Sequence, residues 1–280
     1  MSSRYSYFTF SGFVALASTT VIANPVPHTT TFENATEGWS VSGRNDIGGF
    51  SGNPGAAIDV QVIDVFDADI RNDDDNPLFK GDYTTLGPFR LSIQVKIDSI
   101  VVNGGDGTEV PRTLIVELRD TTTPNTHGLP YTSVWYSLGT IEAAQPGWRT
   151  FSVDVTNPQA IALPLGWGGY GDEDAVGNPI LPRERTFTSV LEHVDELHFT
   201  TSVPGYFYAG TDYIMQVDNI SVSRLCPPDF NGDSTVDFFD YLDFVQAFSS
   251  NAVAADFNDD GVVDFFDYLD FVQAFASGCE

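Results

Sequence analysis

The spacing of apolar residues changes once along this chain. Between residues 28 and 224 they recur at every second position in short runs. Phe89-Arg90-Leu91-Ser92-Ile93-Gln94-Val95-Lys96-Ile97 alternates apolar and polar throughout, as a half-buried strand does. Residues 114–119 read as a second strand, and 149–155 as a third in the opposite phase. Residues 133–138, 196–201 and 214–222 supply more, with Gly, Pro, Asn and Asp clustered between them. From residue 229 the period lengthens. Tyr241, Leu242, Val245 and Phe248, and then Tyr268, Leu269, Val272 and Phe275, stand at helical spacing. The pattern predicts a mainly β jelly-roll sandwich over 24–224, followed by a small all-α module of two loop–helix repeats over 225–280.

Residues 1–23 carry Arg4 as their only charge, then Phe13-Val14-Ala15-Leu16-Ala17 and Val21-Ile22-Ala23. This reads as a signal peptide cleaved after Ala23, with an uncleaved N-terminal anchor as the alternative. No other stretch approaches the ~20 apolar residues of a membrane span, so none is expected once the signal is removed. The chain is therefore read as secreted, extracellular or held at the cell surface. A net charge of −27 opposes binding to nucleic acid and to anionic membranes.

The change of period coincides with a duplicated acidic loop. Residues 229–240 read Asp-Phe-Asn-Gly-Asp-Ser-Thr-Val-Asp-Phe-Phe-Asp, and 256–267 read Asp-Phe-Asn-Asp-Asp-Gly-Val-Val-Asp-Phe-Phe-Asp. Asp229, Asn231, Asp233, Asp237 and Asp240 fill loop positions 1, 3, 5, 9 and 12 of the first copy. Asp256, Asn258, Asp260, Asp264 and Asp267 fill them in the second. Thr235 and Val262 stand at position 7, where a backbone carbonyl serves. A hard divalent ion takes six to eight oxygens, and this is the spacing of an EF-hand-type calcium loop. Two Ca2+ ions are expected. Ser234 replaces the turn glycine that the second copy keeps as Gly261, so the first site is expected to be the weaker. From Cys226 onward there are eleven Asp, one Glu and no Lys or Arg. Without cations those carboxylates repel one another.

Pro227 and Pro228 precede the first loop, so the helix that enters a true EF-hand is missing. A loop–helix pair with Asp at position 12, the near-identical repeats and the terminal Gly278-Cys279 resemble a type I dockerin of the GC type. The resemblance covers residues 226–280. It implies a pseudo-twofold helix pair, two calcium ions and docking onto a cohesin-like partner. Phe238-Phe239 and Phe265-Phe266 stand where dockerins often carry polar residues, which implies an apolar docking face or a larger core. Cys226 and Cys279, the only cysteines, bracket the repeats. Twofold packing would bring them together, so a disulfide is expected, with two free thiols as the alternative.

The sandwich carries a second resemblance. Thr31-Phe32-Glu33-Asn34 with Gly38-Trp39, Gly147-Trp148-Arg149-Thr150-Phe151, and Val217-Asp218-Asn219-Ile220-Ser221-Val222 are similar to segments of jelly-roll carbohydrate-binding modules. In those modules an early-strand Glu and a last-strand Asp hold a structural calcium, and Glu33 and Asp218 match these positions. If Ile220 and Val222 face the core, alternation puts Asp218 there as well. A third Ca2+ and a hydrogen-bonded carboxylate pair are the two readings. Sugar binding needs exposed aromatic faces. Trp167 and Tyr170, in the glycine-rich stretch 165–174, and Tyr206 and Tyr208, in 205–210, are the candidates. Trp167 folded over the end of the sheet is the alternative, and Trp39, Trp135 and Trp148 read as core. Asp67, Asp69 and Asp73–Asp75 read as a solvated acidic loop.

No nucleophile-elbow Ser or catalytic Cys is present. With 39 acidic residues, a suitable carboxylate pair would exist by abundance alone. The sequence favours a polysaccharide-binding or structural component over an extracellular glycoside hydrolase or lyase with the same tail.

Overall fold

The computed structural model describes residues 25–41, 45–72, 77–123, 125, 127–231, 235–258 and 261–279, and for 45–51 the backbone alone. The predicted signal peptide, Asp233, Ser234, Asp260 and Asp73–Asp75 lie outside the described residues.

The strands in chain order are β1 (His28–Thr30), β2 (Trp39–Val41), β3 (Asn45–Gly52), β4 (Gly55–Val65), β5 (Asp69–Asn72), β6 (Phe89–Val102) and β7 (Arg112–Asp120). They continue as β8 (Thr132–Ile141), β9 (Arg149–Val155), β10 (Trp167–Tyr170), β11 (Asp172–Glu173), β12 (Pro179–Ile180), β13 (Glu196–Thr200) and β14 (Thr211–Arg224). One sheet has the order β3-β4-β14-β6-β9, with β1 also on β14; the other has the order β10-β8-β7-β13-β5-β2. All their pairings are antiparallel. The chain repeatedly crosses between sheets, as from β5 to β6, β6 to β7, β8 to β9 and β13 to β14. Crossing is forced because each strand buries one face and must find a partner layer. Leu91, Ile93 and Val95 of β6, Val116 and Leu118 of β7, and Leu197 and Phe199 of β13 form the middle of the core.

Three sequence expectations change. The stretch 165–174 is not all loop, because Trp167–Tyr170 pairs with 133–136 of β8. Glycine allows this close pairing, since a Cβ on Gly168 would collide with the Trp135 ring. Of the tryptophans read as core, only Trp39 is fully buried; Trp135 and Trp148 are half-buried. A five-residue helix, α1 (Phe187–Leu191), is capped by Thr186 and Ser189. It is too short to show a helical period.

In the tail, α2 (Phe238–Ser249) and α3 (Phe265–Ser277) start where the pattern predicts. Asp237 and Asp264 are their N-caps, each in a capping box with Asp240 or Asp267. Phe244 and Phe271, equivalent in the repeats, stack with ring centroids 3.9 Å apart and planes 1° from parallel. Phe230 meets Phe244 edge-on at 5.4 Å, and Phe257 meets Phe271 likewise at 5.5 Å. The Tyr241 and Tyr268 hydroxyls approach to 3.4 Å. Like meets like throughout, so the repeats are related by an approximate twofold axis. Cys226 and Cys279 form a disulfide with Cα atoms 5.5 Å apart. Among the described residues no helix is long and apolar enough to cross a membrane.

Candidate functional site

The tail loops are closed by their position-12 carboxylates. Asp240 is buried. It accepts from Asn231 N at 3.0 Å and Asp237 N at 2.8 Å. Asp267 does the same in the second copy, accepting from Phe257 N (2.7 Å), Asn258 N (3.2 Å) and Asp264 N (2.7 Å). Burial pushes both carboxyls up, but the backbone N–H donors outweigh it and hold them below the usual range. Gly261 N donates to Asp256 Oδ2 at 2.9 Å, tying position 6 to position 1. Asp237 and Asp264 accept from Phe239 N and Phe266 N at 2.8 and 2.7 Å, so the position-9 residues also start the helices. Thr235 and Val262, at position 7 of each loop, stand three residues before the helix start. The donors are oxygens only, which suits a hard cation. Among the described residues no group of three or more His, Cys, Asp or Glu is gathered tightly enough to hold an ion. The aromatic pairs at the helix starts are open to solvent, with Phe238 and Phe239 63% exposed, Phe265 63% and Phe266 64%.

Glu33 and Asp218 come to the same turn by a route that alternation misses. A register break between Asp218 and Ser221, with Asn219 at φ 48°, turns both Val217 and Ile220 inward. Asp218 pairs with Gln94 on the outward side of β6, so it does not share the Ile220 face. It is buried nonetheless, because the β3–β4 turn lies over it and Asn53 N donates to its Oδ2 at 2.6 Å. Asn219 N donates to its Oδ1 at 2.7 Å. Ala56 N, on the same turn, donates to Glu33 Oε1 at 3.1 Å. Gly55 is required there, since a Cβ would collide with the Glu33 carboxylate. Burial first, and then Glu33 and Glu37 nearby, push the Asp218 carboxyl up against the pull of its two backbone donors.

The predicted sugar contacts separate. Trp167 faces inward at 9% exposure, packed against Tyr136 and Phe187, in keeping with the alternative in which it folds over the sheet. Tyr170, three residues on, points to the outer side of the same strand. Tyr208 is half-buried beneath Arg112, whose guanidinium lies 4.8 Å from the ring centroid. Tyr206 is exposed.

The sequence reading missed the outer face of the second sheet. Leu118, Leu197 and Ile70 point into the core. Their neighbours Glu117 and Arg119 on β7, Glu196 and His198 on β13, and Asp69 and Arg71 on β5 therefore point out. Register puts Glu117 opposite His198, Arg119 opposite Glu196, and His198 opposite Arg71. The six close a ring of alternating charge. Arg71 reaches Asp69 and Glu196, each at 3.8 Å. Arg119 reaches Glu196 at 3.0 Å and Glu117 at 2.7 Å. His198 Nδ1 is 3.4 Å from Glu117 and its Nε2 is 2.5 Å from Asp69. Ser133 Oγ also donates to Glu117 at 2.5 Å. Asp69 is thus a ring member, not a solvated loop residue. Burial raises the Asp69 and Glu117 carboxyls, but His198 and the arginines bring both below the ordinary range. Arg119 lies 4.5 Å from the centroid of Tyr131, whose ring is 4.9 Å from that of Tyr170. Burial pushes both phenols up, so they stay neutral donors. One signal was available: each strand carries two charged or titratable residues at i and i+2, on one face.

No protein-family model matches this chain, and no curated protein matches it. Among solved structures it is similar to the C-terminal family 22 carbohydrate binding module of Clostridium thermocellum Xyn10B, at 12% identity and a TM-score of 0.36, over 70% of this chain and 92% of that one. It is similar to a CBM28 module specific for non-crystalline cellulose at 12% identity and a TM-score of 0.31, over 70% and 94% of the two chains. An exo-beta-agarase aligns at 10% identity and a TM-score of 0.42, over 80% of this chain. This chain spans only 31% of that enzyme. At these levels the likenesses assign neither ligand nor reaction.

Proposed function

We propose that this is a secreted, calcium-binding, dockerin-tailed β-sandwich protein, a polysaccharide-binding or structural component docked through its tail to a cohesin-like partner. The observation that carries the reading is the repeated loop–helix unit closed by buried Asp240 and Asp267. Asp229, Asn231, Asp233, Asp237 and Asp240, with the carbonyl of Thr235, would hold one Ca2+. Asp256, Asn258, Asp260, Asp264 and Asp267, with the carbonyl of Val262, would hold the other. The ion would supply the positive charge that a tail without Lys or Arg lacks, so its binding energy becomes folding energy. Glu33 and Asp218, gathered at one turn, are the candidate pair for a third.

Two features support docking and sugar binding. The exposed Phe238-Phe239 and Phe265-Phe266 pairs sit at matched places on an acidic module. They suit a partner with an apolar face and a basic rim. Tyr131, Tyr170 and half-buried Trp135 stand on a sheet face whose described charges are paired in a ring. Paired charges favour a neutral glycan over a polyanion, as does a net charge of −27.

Calorimetric calcium titration of the whole chain tests the core of the reading. Saturable binding, with tail helicity lost in EDTA, is expected. Full helicity in EDTA would refute it. A glycan array with a reducing-sugar assay tests the sandwich. Binding without cleavage is expected, and sugar release abolished by one carboxylate substitution would establish an enzyme instead.

A further inference from the structure

We propose that His198 is the positioning residue of the outer sheet face: an imidazolium that closes the charge ring and, through Glu117 and Arg119, fixes the Tyr131–Tyr170 pair. The inference rests on that face being the glycan surface only for its biological meaning. The device itself follows from the geometry.

A neutral imidazole has one N–H and one lone pair. Both ring nitrogens of His198 face carboxylates, Nε2 toward Asp69 Oδ1 at 2.5 Å and Nδ1 toward Glu117 Oε2 at 3.4 Å. In a neutral ring, one nitrogen would turn its lone pair toward a carboxylate oxygen in a buried site. Only the doubly protonated ring donates to both. Charge count agrees: Asp69, Glu117 and Glu196 are three acids, and Arg71 and Arg119 are two bases, so the imidazolium is the third cation that balances the ring. The groups facing His198 are Asp69 and Arg71 from β5, Glu117 and Arg119 from β7, and Glu196 on its own strand. Asp67 accepts from Thr200 Oγ1, two residues along β13, at 3.0 Å. Arg119 lowers the histidine's proton affinity and burial lowers it more, but Asp69 and Glu117 outweigh both and raise it above its ordinary value of 6.5.

The charge matters at the surface because Glu117 is shared. It accepts from Arg119 Nε at 2.7 Å, and Arg119 in turn lies over Tyr131. When His198 loses its proton, Nδ1 presents a lone pair to Glu117 Oε2, the atom that braces Arg119. The rings of Tyr131 and Tyr170 should then move with His198 as pH rises.

The test is an NMR pH titration of the whole protein, with His198 identified among the four histidines by comparison with His198→Gln. Imidazolium shifts at pH 6.5 are expected, with a midpoint above that pH and Tyr131 and Tyr170 ring signals titrating together with it. Asp69→Asn keeps an acceptor but removes charge, so it should move the midpoint down. A midpoint at or below 6.5, or tyrosine signals that ignore its titration, would overturn the proposal. A neutral polysaccharide titrated into the same samples should bind up to about tenfold more weakly above the midpoint, the worth of one ordinary hydrogen bond. If nothing binds at any pH while the tyrosines still follow His198, the glycan reading fails and the charge device stands.

Discussion

Removing one ring from the tail's stacked pair should destabilise the tail by about 4 kcal/mol and leave the sandwich intact. Phe271 is fully buried and packs face to face on Phe244 and edge-on to Phe257. A buried aromatic ring removes roughly 150–250 Å² from water, worth roughly 4–6 kcal/mol at about 25 cal/mol per Å². Core Phe→Ala changes cost about 3–5 kcal/mol, so about 4 kcal/mol is expected for Phe271→Ala. A core this small rarely supplies more than about 3–5 kcal/mol. The remaining support comes from the Cys226–Cys279 bridge, which spans 53 residues and is worth about 4 kcal/mol by loop entropy. Calcium at a hundredfold excess over its Kd adds about 2.7 kcal/mol per site. The variant's helices should therefore survive in saturating calcium when oxidised, but melt at a lower temperature than those of the wild type and need more calcium to form. Far-UV circular dichroism reads this, because the two long helices of the described chain, α2 and α3, both belong to the tail and the sandwich holds only the five-residue α1 and short 3-10 turns. Phe244→Ala should cost the same to within about 1 kcal/mol, since its surroundings are the twofold equivalent. A Phe271→Ala tail as stable as wild type, or a gap above about 2 kcal/mol between the two variants, refutes the twofold core. Phe271→Leu, nearer in volume, should lose clearly less.

Three further outcomes follow from the sandwich. Asp120→Ala should cost about 3–5 kcal/mol, because Arg185 Nη2 donates to Asp120 Oδ2 at 2.6 Å and both side chains are nearly buried; an unshifted thermal midpoint would refute this. Gly168→Ala should displace the Trp135 indole, which a Cβ would meet. It should destabilise by about 1–3 kcal/mol with a shift in tryptophan emission, and an unchanged spectrum would count against the β8–β10 register. Asp69 and Glu117 are held below their ordinary values, so their stabilisation is present above those values and lost as pH falls through the lowered ones. His198 has the opposite sign, its contribution full below 6.5 and lost as pH rises through its raised value. Thermal midpoints against pH should thus fall on both sides of a plateau, and a monotonic curve would refute the closed ring.

Much of this protein is legible in its residues because short-range physics decides it. Two-residue alternation is a property of the pleat, so the strand over 149–155 could be read directly from Arg149 to Val155. The helix starts at Phe238 and Phe265 were equally plain, since the Asp that caps each helix and the acid that completes its capping box lie three residues apart. Duplication of the loops, and cysteines only at the ends of the repeat, pointed to a paired module. Other features depend on what lies across from each strand. Alternation from Ile220 and Val222 would place Asp218 in the core, but a register break at Asn219 puts it on the outer side beneath the β3–β4 turn. The glycines around Trp167 suggest a loop; β8 makes them the means of close pairing. The charge ring is the clearest case. Asp69 with Arg71, Glu117 with Arg119, and Glu196 with His198 are visible as same-face pairs on single strands. Nothing local sets the order β7-β13-β5 or the stagger between them. Burying each strand's apolar face selects that arrangement, and the circuit of charge appears on the opposite side as its consequence.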